Sequence, residues 1–121
     1  MARILVIDDE PLVRSAFRLA LERAGHVVTD AESGSDGLRI LKGAEVDLVI
    51  TDLVMAGMDG FQTIMAIRDK LPELPVIAVT GGGPCGPDEL VERARGLGIE
   101  YALCKPIDRR ALIATVDAAL T

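Results

Sequence analysis

The sequence is poor in aromatic residues, with no tryptophan, one tyrosine and two phenylalanines. The composition therefore argues against a platform of aromatic rings that stacks nucleotide bases, and the core must be aliphatic. Two cysteines are too few for a disulfide scaffold or a four-cysteine zinc site, and they fit a reducing cytoplasmic location. Positive charge is scarce as well. The 13 basic and 19 acidic residues give a net charge of −6, which argues against direct binding to DNA or RNA.

Long apolar runs are also missing. No run approaches the roughly 20 residues that a membrane-spanning helix needs, so no membrane association is expected. Asp8 ends the apolar run at the N-terminus too early for a signal peptide. Aliphatic residues are nevertheless abundant: 50% of the chain is hydrophobic and 26% is charged, which excludes disorder. We therefore predict one folded domain over residues 1–121.

Short apolar runs alternate with segments of helical periodicity. Five runs have the length and β-branched content of buried strands: 4–7, 27–28, 46–50, 76–79 and 101–103. The periodic segments predict helices near 10–24, 34–43, 60–70, 88–97 and 108–120. Strands that alternate with helices predict an α/β fold, a doubly wound parallel sheet with helices on both faces.

Charged or hydroxyl residues occur where the predicted strands end. Asp8 and Asp9 follow the first strand, and the third, fourth and fifth strands lead into Asp52, Thr80 and Lys105. Ligands of open α/β sheets bind outside the carboxyl ends of the strands, so these residues are expected to share one rim. Three carboxylates that repel one another need a cation, and oxygen ligands are typical of magnesium. A hydroxyl donor and an ammonium beside them predict a site for a phosphoryl group on a carboxylate.

The order and spacing of five segments resemble the receiver domain of two-component response regulators over essentially the whole chain. The matching segments are 4–11, 47–53, 55–60, 75–81 and 105–106. The resemblance implies a flavodoxin-like fold with five strands in the order 2-1-3-4-5. It also implies phosphorelay signalling, in which a histidine kinase or histidine phosphotransfer protein supplies a phosphoryl group and Mg²⁺ is required. Such a domain assists its own phosphorylation and dephosphorylation and is not otherwise an enzyme.

The resemblance assigns roles to the residues at the rim. Asp52 matches the aspartate that accepts the phosphoryl group. Asp9 matches a direct magnesium ligand, and Asp8 matches a carboxylate that holds the metal through water. The backbone carbonyl of Val54 corresponds to the third protein ligand. Lys105 is similar to the lysine that binds a phosphoryl oxygen.

Five further positions correspond to the switching apparatus of the family. Thr80 resembles the hydroxyl residue that moves toward the phosphoryl group, and Gly81 is the small residue expected beside that group. Pro106 resembles the cis proline that sets the approach of the lysine. Ala102 stands where receivers usually carry an aromatic residue. Tyr101 is one position earlier, so strand alternation predicts that it points to the opposite face of the sheet.

Phosphorylation is expected to change a surface made of the predicted helix 88–97, the fifth strand and the last helix, and this surface would bind a downstream partner or an output domain. Three other classes of protein share parts of this pattern. A flavodoxin-like FMN carrier shares the topology, but Asp8, Asp9 and Glu10 have the wrong charge for its phosphate loop. A magnesium-dependent phosphohydrolase also has aspartates at strand ends, but it normally needs a substrate-covering cap. A receiver that acts only as a binding module, without phosphate, is the third alternative.

Overall fold

Strands and helices alternate along the chain in the computed structural model, which describes residues 1–53, 60–80 and 95–121. The elements in chain order are β1 (Arg3–Ile7), α1 (Pro11–Arg23), β2 (Val27–Ala31), α2 (Gly34–Gly43), β3 (Leu48–Asp52), α3 (Gly60–Lys70), β4 (Val76–Thr80), β5 (Tyr101–Cys104) and a C-terminal helix (Arg109–Ala119). These bounds follow the sequence prediction within a few residues. The predicted helix 88–97 lies largely outside the described residues.

The five strands form one parallel sheet in the order β2-β1-β3-β4-β5, which confirms the predicted fold class and strand order. The register aligns Ile7 with Thr51, and it aligns Thr80 with Cys104. The carboxyl ends of β1, β3, β4 and β5 therefore lie at the same edge of the sheet. None of the helices in the described ranges is long and apolar enough to cross a membrane.

Local sequence signals explain where several helices begin and end. Pro11 occupies the first turn of α1, where its missing N–H leaves no hydrogen bond unmade. Gly25, with φ of +95°, adopts the left-handed conformation that turns the chain from α1 into β2. The side chain of Ser33 accepts a hydrogen bond from the backbone N–H of Asp36 at the start of α2. The side chain of Asp108 accepts a hydrogen bond from the backbone N–H of Arg110 and caps the C-terminal helix.

Two apolar clusters hold the helices against the two faces of the sheet. The first cluster joins inward residues of the strands to α1 and the C-terminal helix, and its helical members include Phe17, Leu21, Leu112 and Val116. The second joins the other face to α3, with α2 packed against its edge. Each fully buried aliphatic side chain stabilises the fold by roughly 1.5–3 kcal/mol. The near-continuous burial of β1, β3 and β4 follows from this coverage on both faces.

Gly60 brings the start of α3 into direct contact with the end of β3. A Cβ atom at this position would overlap the carbonyl oxygen of Asp52 and the Cα of Leu53. The backbone N–H of Gly60 donates a hydrogen bond to the Leu53 carbonyl, 3.2 Å away. A glycine therefore permits the close approach that fixes the backbone around Asp52.

Candidate functional site

Four carboxylate side chains meet at the carboxyl edge of the sheet. Asp8, Asp9, Glu10 and Asp52 each place an oxygen within 4.8 Å of the others. Asp8 follows β1 and Asp52 ends β3, and because β1 and β3 are neighbouring strands the topology brings the two side chains together. Asp8 and Asp52 are buried, whereas Asp9 and Glu10 are exposed. The structure thus places three predicted site residues together and adds Glu10, which the sequence analysis did not count among them.

Lys105 provides the positive charge at the centre of this acidic cluster. Its Nζ lies 2.8 Å from Asp52 Oδ2, 3.0 Å from Asp8 Oδ2 and 3.1 Å from Glu10 Oε1. Its backbone N–H donates to the carbonyl of Thr80 at 2.8 Å, which anchors the residue just past β5. The peptide bond between Lys105 and Pro106 is cis, as the resemblance implied.

Burial and ion pairing set the protonation of two groups. Burial is the main reason that the pKa of Asp8 is raised, and the hydrogen bond from the Glu10 N–H and the interaction with Lys105 offset only part of this effect. For Lys105, burial by itself would lower the pKa, but interactions with Asp52, Asp8 and Glu10 outweigh burial and raise the pKa above its usual range. Lys105 therefore stays positively charged at neutral pH, while ionised Asp8 carries a desolvation penalty.

Thr80 lies at the same edge, at the end of β4. Its side chain is buried, and its hydroxyl donates toward the carbonyl of Leu103 at 3.5 Å and lies 3.8 Å from Cys104 Sγ. Both contacts are with β5, the strand that leads into Lys105. The hydroxyl therefore faces β5 at the edge of the sheet where the site residues were predicted to meet.

The chain around Asp8 is held by several hydrogen bonds. Its backbone N–H donates to the carbonyl of Ala31 at 3.1 Å, and its Oδ1 accepts from the N–H of Glu10 at 2.9 Å. Arg14 donates from Nη1 to the Asp8 carbonyl at 2.6 Å, and its Nε lies 3.9 Å from Asp30 Oδ2. Arg14 was not among the residues predicted to belong to the site. An arginine one turn into α1, opposite an aspartate at the end of β2, was the available signal.

The donor set fits a hard divalent cation. Asp8 Oδ2 is buried and accepts no hydrogen bond from the described residues, although it lies in ion-pair range of Lys105. Together with oxygens of Asp9 and Asp52 it offers the all-oxygen ligands that magnesium prefers. Two predicted members of the site, the Val54 carbonyl and Gly81, lie outside the described residues.

The two positions of β5 singled out from the sequence differ in their surroundings. Tyr101 packs against the first core cluster, as Leu103 does, and its hydroxyl donates to the carbonyl of Ala118 at 3.4 Å. Ala102 is exposed. The alternation predicted for this strand is therefore present, and the tyrosine ring is tied to the C-terminal helix.

Comparison with known proteins assigns the family. Residues 4–117 match the family model for the response regulator receiver domain. The chain is 36% identical to protein PilH of Pseudomonas aeruginosa over 124 residues, which cover 99% of this chain and 98% of PilH. Among solved structures, chemotaxis protein CheY4 of Vibrio cholerae superposes with a TM-score of 0.91 at 27% identity, with 99% of both chains covered. The chain belongs to the family of two-component response regulator receiver domains.

The lengths of the relatives differ widely. The transcriptional regulatory protein GlrR of Escherichia coli is 41% identical over 119 residues, which are 98% of this chain but 26% of GlrR. The chain thus spans about a quarter of that regulator and nearly all of PilH. A receiver domain is a phosphoacceptor signalling module and not a classical enzyme, and its acidic cluster is consistent with the metal site typical of such domains. The FMN carrier and the phosphohydrolase are set aside by this assignment.

Proposed function

We propose that the chain is a phosphorelay receiver that accepts a phosphoryl group on Asp52 from a histidine kinase or a histidine phosphotransfer protein. The observation that carries this proposal is the contact between the buried Asp52 carboxylate and Lys105 Nζ, 2.8 Å apart, inside a cluster of acidic side chains. A carboxylate in this position can act as a nucleophile, and the ammonium can neutralise charge on the group it receives.

The chemistry follows from the donor atoms. A carboxylate oxygen of Asp52 attacks the phosphorus of a phosphohistidine; the new P–O bond forms as the P–N bond breaks, and the imidazole leaves. Lys105 contacts one oxygen of the transferred group, and the Thr80 hydroxyl donates to another. Asp9, Asp52 and the Val54 carbonyl would hold Mg²⁺ directly, with Asp8 holding it through water. When bound, Mg²⁺ supplies positive charge that neutralises the phosphoryl oxygens.

The product is an acyl phosphate, so hydrolysis resets the site. Its added charge acts as a signal only if two conformations of the domain differ in their affinity for it. We assign the responsive surface to residues 88–97, β5 and the C-terminal helix, with Thr80, Gly81 and Pro106 as the residues that couple the site to it. The surface would bind a separate partner or an output domain of a longer regulator. The receiver domain is taken to span residues 1–121.

The test is incorporation of phosphate from acetyl phosphate, measured by intact-protein mass spectrometry with and without Mg²⁺. We expect one added phosphoryl group that depends on the metal and is absent from Asp52→Asn. Asp69→Asn, which changes an exposed aspartate on α3, is the matched control and should label like the wild type. Labelling that survives in Asp52→Asn would contradict the assignment of the acceptor.

A further inference from the structure

Glu10 is the one exposed carboxylate among the three that surround Lys105. Its side chain is 62% exposed, compared with 1% for Asp8 and 4% for Asp52. The backbone of Glu10 is extended where it precedes α1, and its N–H is fixed by the bond to Asp8 Oδ1. The main chain is therefore anchored in the site, while the side chain reaches back over the edge to Lys105.

This arrangement creates a competition for the ammonium. Lys105 has three N–H donors and three carboxylates within 3.1 Å of Nζ. A phosphoryl oxygen that binds Lys105 must displace one of them. Asp8 is held by a backbone hydrogen bond and Asp52 carries the phosphoryl group itself, so the partner that can leave is Glu10. Its carboxylate regains water when it leaves, since it is already largely exposed.

We propose that Glu10 is a positioning residue that holds Lys105 in the unphosphorylated domain and gives up this place to a phosphoryl oxygen. The proposal rests on the proposed function, because it concerns the same acceptor site. Glu10 thereby sets how readily the site accepts a phosphoryl group: its negative charge opposes the incoming anion, and its contact with Lys105 occupies the cation that the anion needs.

The role has a signature that a purely structural residue would not give. Four carboxylates and one ammonium give the site a charge of −3, which attracts Mg²⁺ and repels a phosphoryl group. Removal of the Glu10 charge should therefore raise the affinity for the anion without raising the affinity for the metal. Binding of the anion becomes tighter, and binding of the metal becomes weaker or stays the same. Local unfolding around Glu10 would weaken both.

The experiment compares wild type, Glu10→Gln and Glu100→Gln in binding beryllofluoride, a phosphoryl analogue, at saturating Mg²⁺, and in binding Mg²⁺ alone. Glu100 is exposed and precedes β5, at the opposite end of the strand from Lys105, so Glu100→Gln should match the wild type. We expect Glu10→Gln to bind beryllofluoride about fivefold more tightly, the change expected for loss of an exposed ion pair, and Mg²⁺ no more tightly. An unchanged or weaker affinity for beryllofluoride would overturn the role of Glu10.

A second measurement follows the lysine directly. The chain has three lysines, and Lys42 and Lys70 are exposed. The Lys105 ammonium, shielded by carboxylates, should therefore give the slowest-exchanging ¹⁵N–¹H lysine signal. Glu10→Gln should speed its exchange and Glu100→Gln should not; equal exchange in the two variants would count against the contact. A wild type that neither binds beryllofluoride nor incorporates phosphate would refute the proposed function, whereas one that does both, with Glu10→Gln unchanged, would refute only the inference.

Discussion

Asp8 shows how a single residue can serve a site at the expense of the fold. It is buried and its pKa is raised chiefly by that burial, so its ionised form is disfavoured in the folded domain. Ionisable groups with a shifted pKa cluster at functional sites, because a bound ligand can offset the unfavourable environment that shifts the pKa. Nearby Asp52 adds to the cost of ionising Asp8, and Lys105 offsets only part of it. A bound cation would relieve the remainder.

The sign of the pH dependence follows from the raised pKa. Folding favours the protonated form of Asp8, so its unfavourable contribution is present at neutral pH and fades as the pH falls toward the unfolded value of 3.8. We expect Asp8→Asn to stabilise the metal-free domain at pH 7, with a smaller gain near pH 4. Urea unfolding in the presence of a chelator measures both. A variant less stable than the wild type at pH 7 would contradict the prediction.

Lys105 acts in the opposite sense. It lies between buried carboxylates, and its removal leaves Asp8 and Asp52 without a compensating charge. We expect Lys105→Met to destabilise the domain by about 3 kcal/mol and to abolish phosphate incorporation. Lys70→Met, at an exposed position at the end of α3, should change the free energy of unfolding by less than about 0.5 kcal/mol. Equal losses of stability in the two variants would argue against a central role for Lys105.

At the scale of the elements, Gly60 couples the start of α3 to the acceptor strand. A methyl group there collides with backbone atoms of Asp52 and Leu53, which cannot rotate away as a flexible side chain could. We expect Gly60→Ala to destabilise the domain by about 2 kcal/mol and to slow phosphate incorporation, because the helix must move away from Asp52. Urea unfolding measures the change in stability, and mass spectrometry measures the rate of phosphate incorporation.

The matched control is a glycine in another helix. Gly43, the last residue of α2, has open space where a Cβ would stand. Gly43→Ala should therefore be neutral or stabilise the domain by about 0.5 kcal/mol, through the lower entropy of the unfolded chain. If both alanine variants behave alike, the close approach at Gly60 does not constrain the site.

The sequence predicted the elements better than the contacts among them. Apolar runs and helical periodicity depend on neighbours in the chain, so they located the strands and four helices within a few residues. Strand ends then indicated which residues share an edge, and Asp8, Asp52 and Lys105 do lie together there. The roles of Glu10 and Arg14 were missed because both are polar residues near the start of α1. The distant groups that they contact depend on how α1 packs against β2 and on the side-chain conformations. Neither can be inferred from neighbouring residues in the sequence.

For the whole molecule, a large share of the excess negative charge lies in one place. The chain has 19 acidic residues and a net charge of −6, and the site alone, with four carboxylates and Lys105, contributes −3 of it. Half of the imbalance that excluded nucleic acid thus lies at one edge of the sheet. Other acidic residues, such as Glu45, Asp47 and Glu73, lie outside this site in the segments between helices and strands. The roles of Thr80, Gly81 and Pro106 in switching stay predictions, as does the effect of having Ala102 where the family usually carries an aromatic residue.

The strand order has a consequence for how signalling competence is acquired. Lys105 is separated in sequence by 53 residues from Asp52 and by 95 from Glu10, and these groups meet only when the first, third and fifth strands are aligned. While the segment around residue 105 is still inside the ribosome, the Lys105 ammonium therefore cannot reach the site. We therefore expect a partly folded domain, in which β5 is not yet paired with β4, to lack the lysine at Asp52 and not to accept a phosphoryl group.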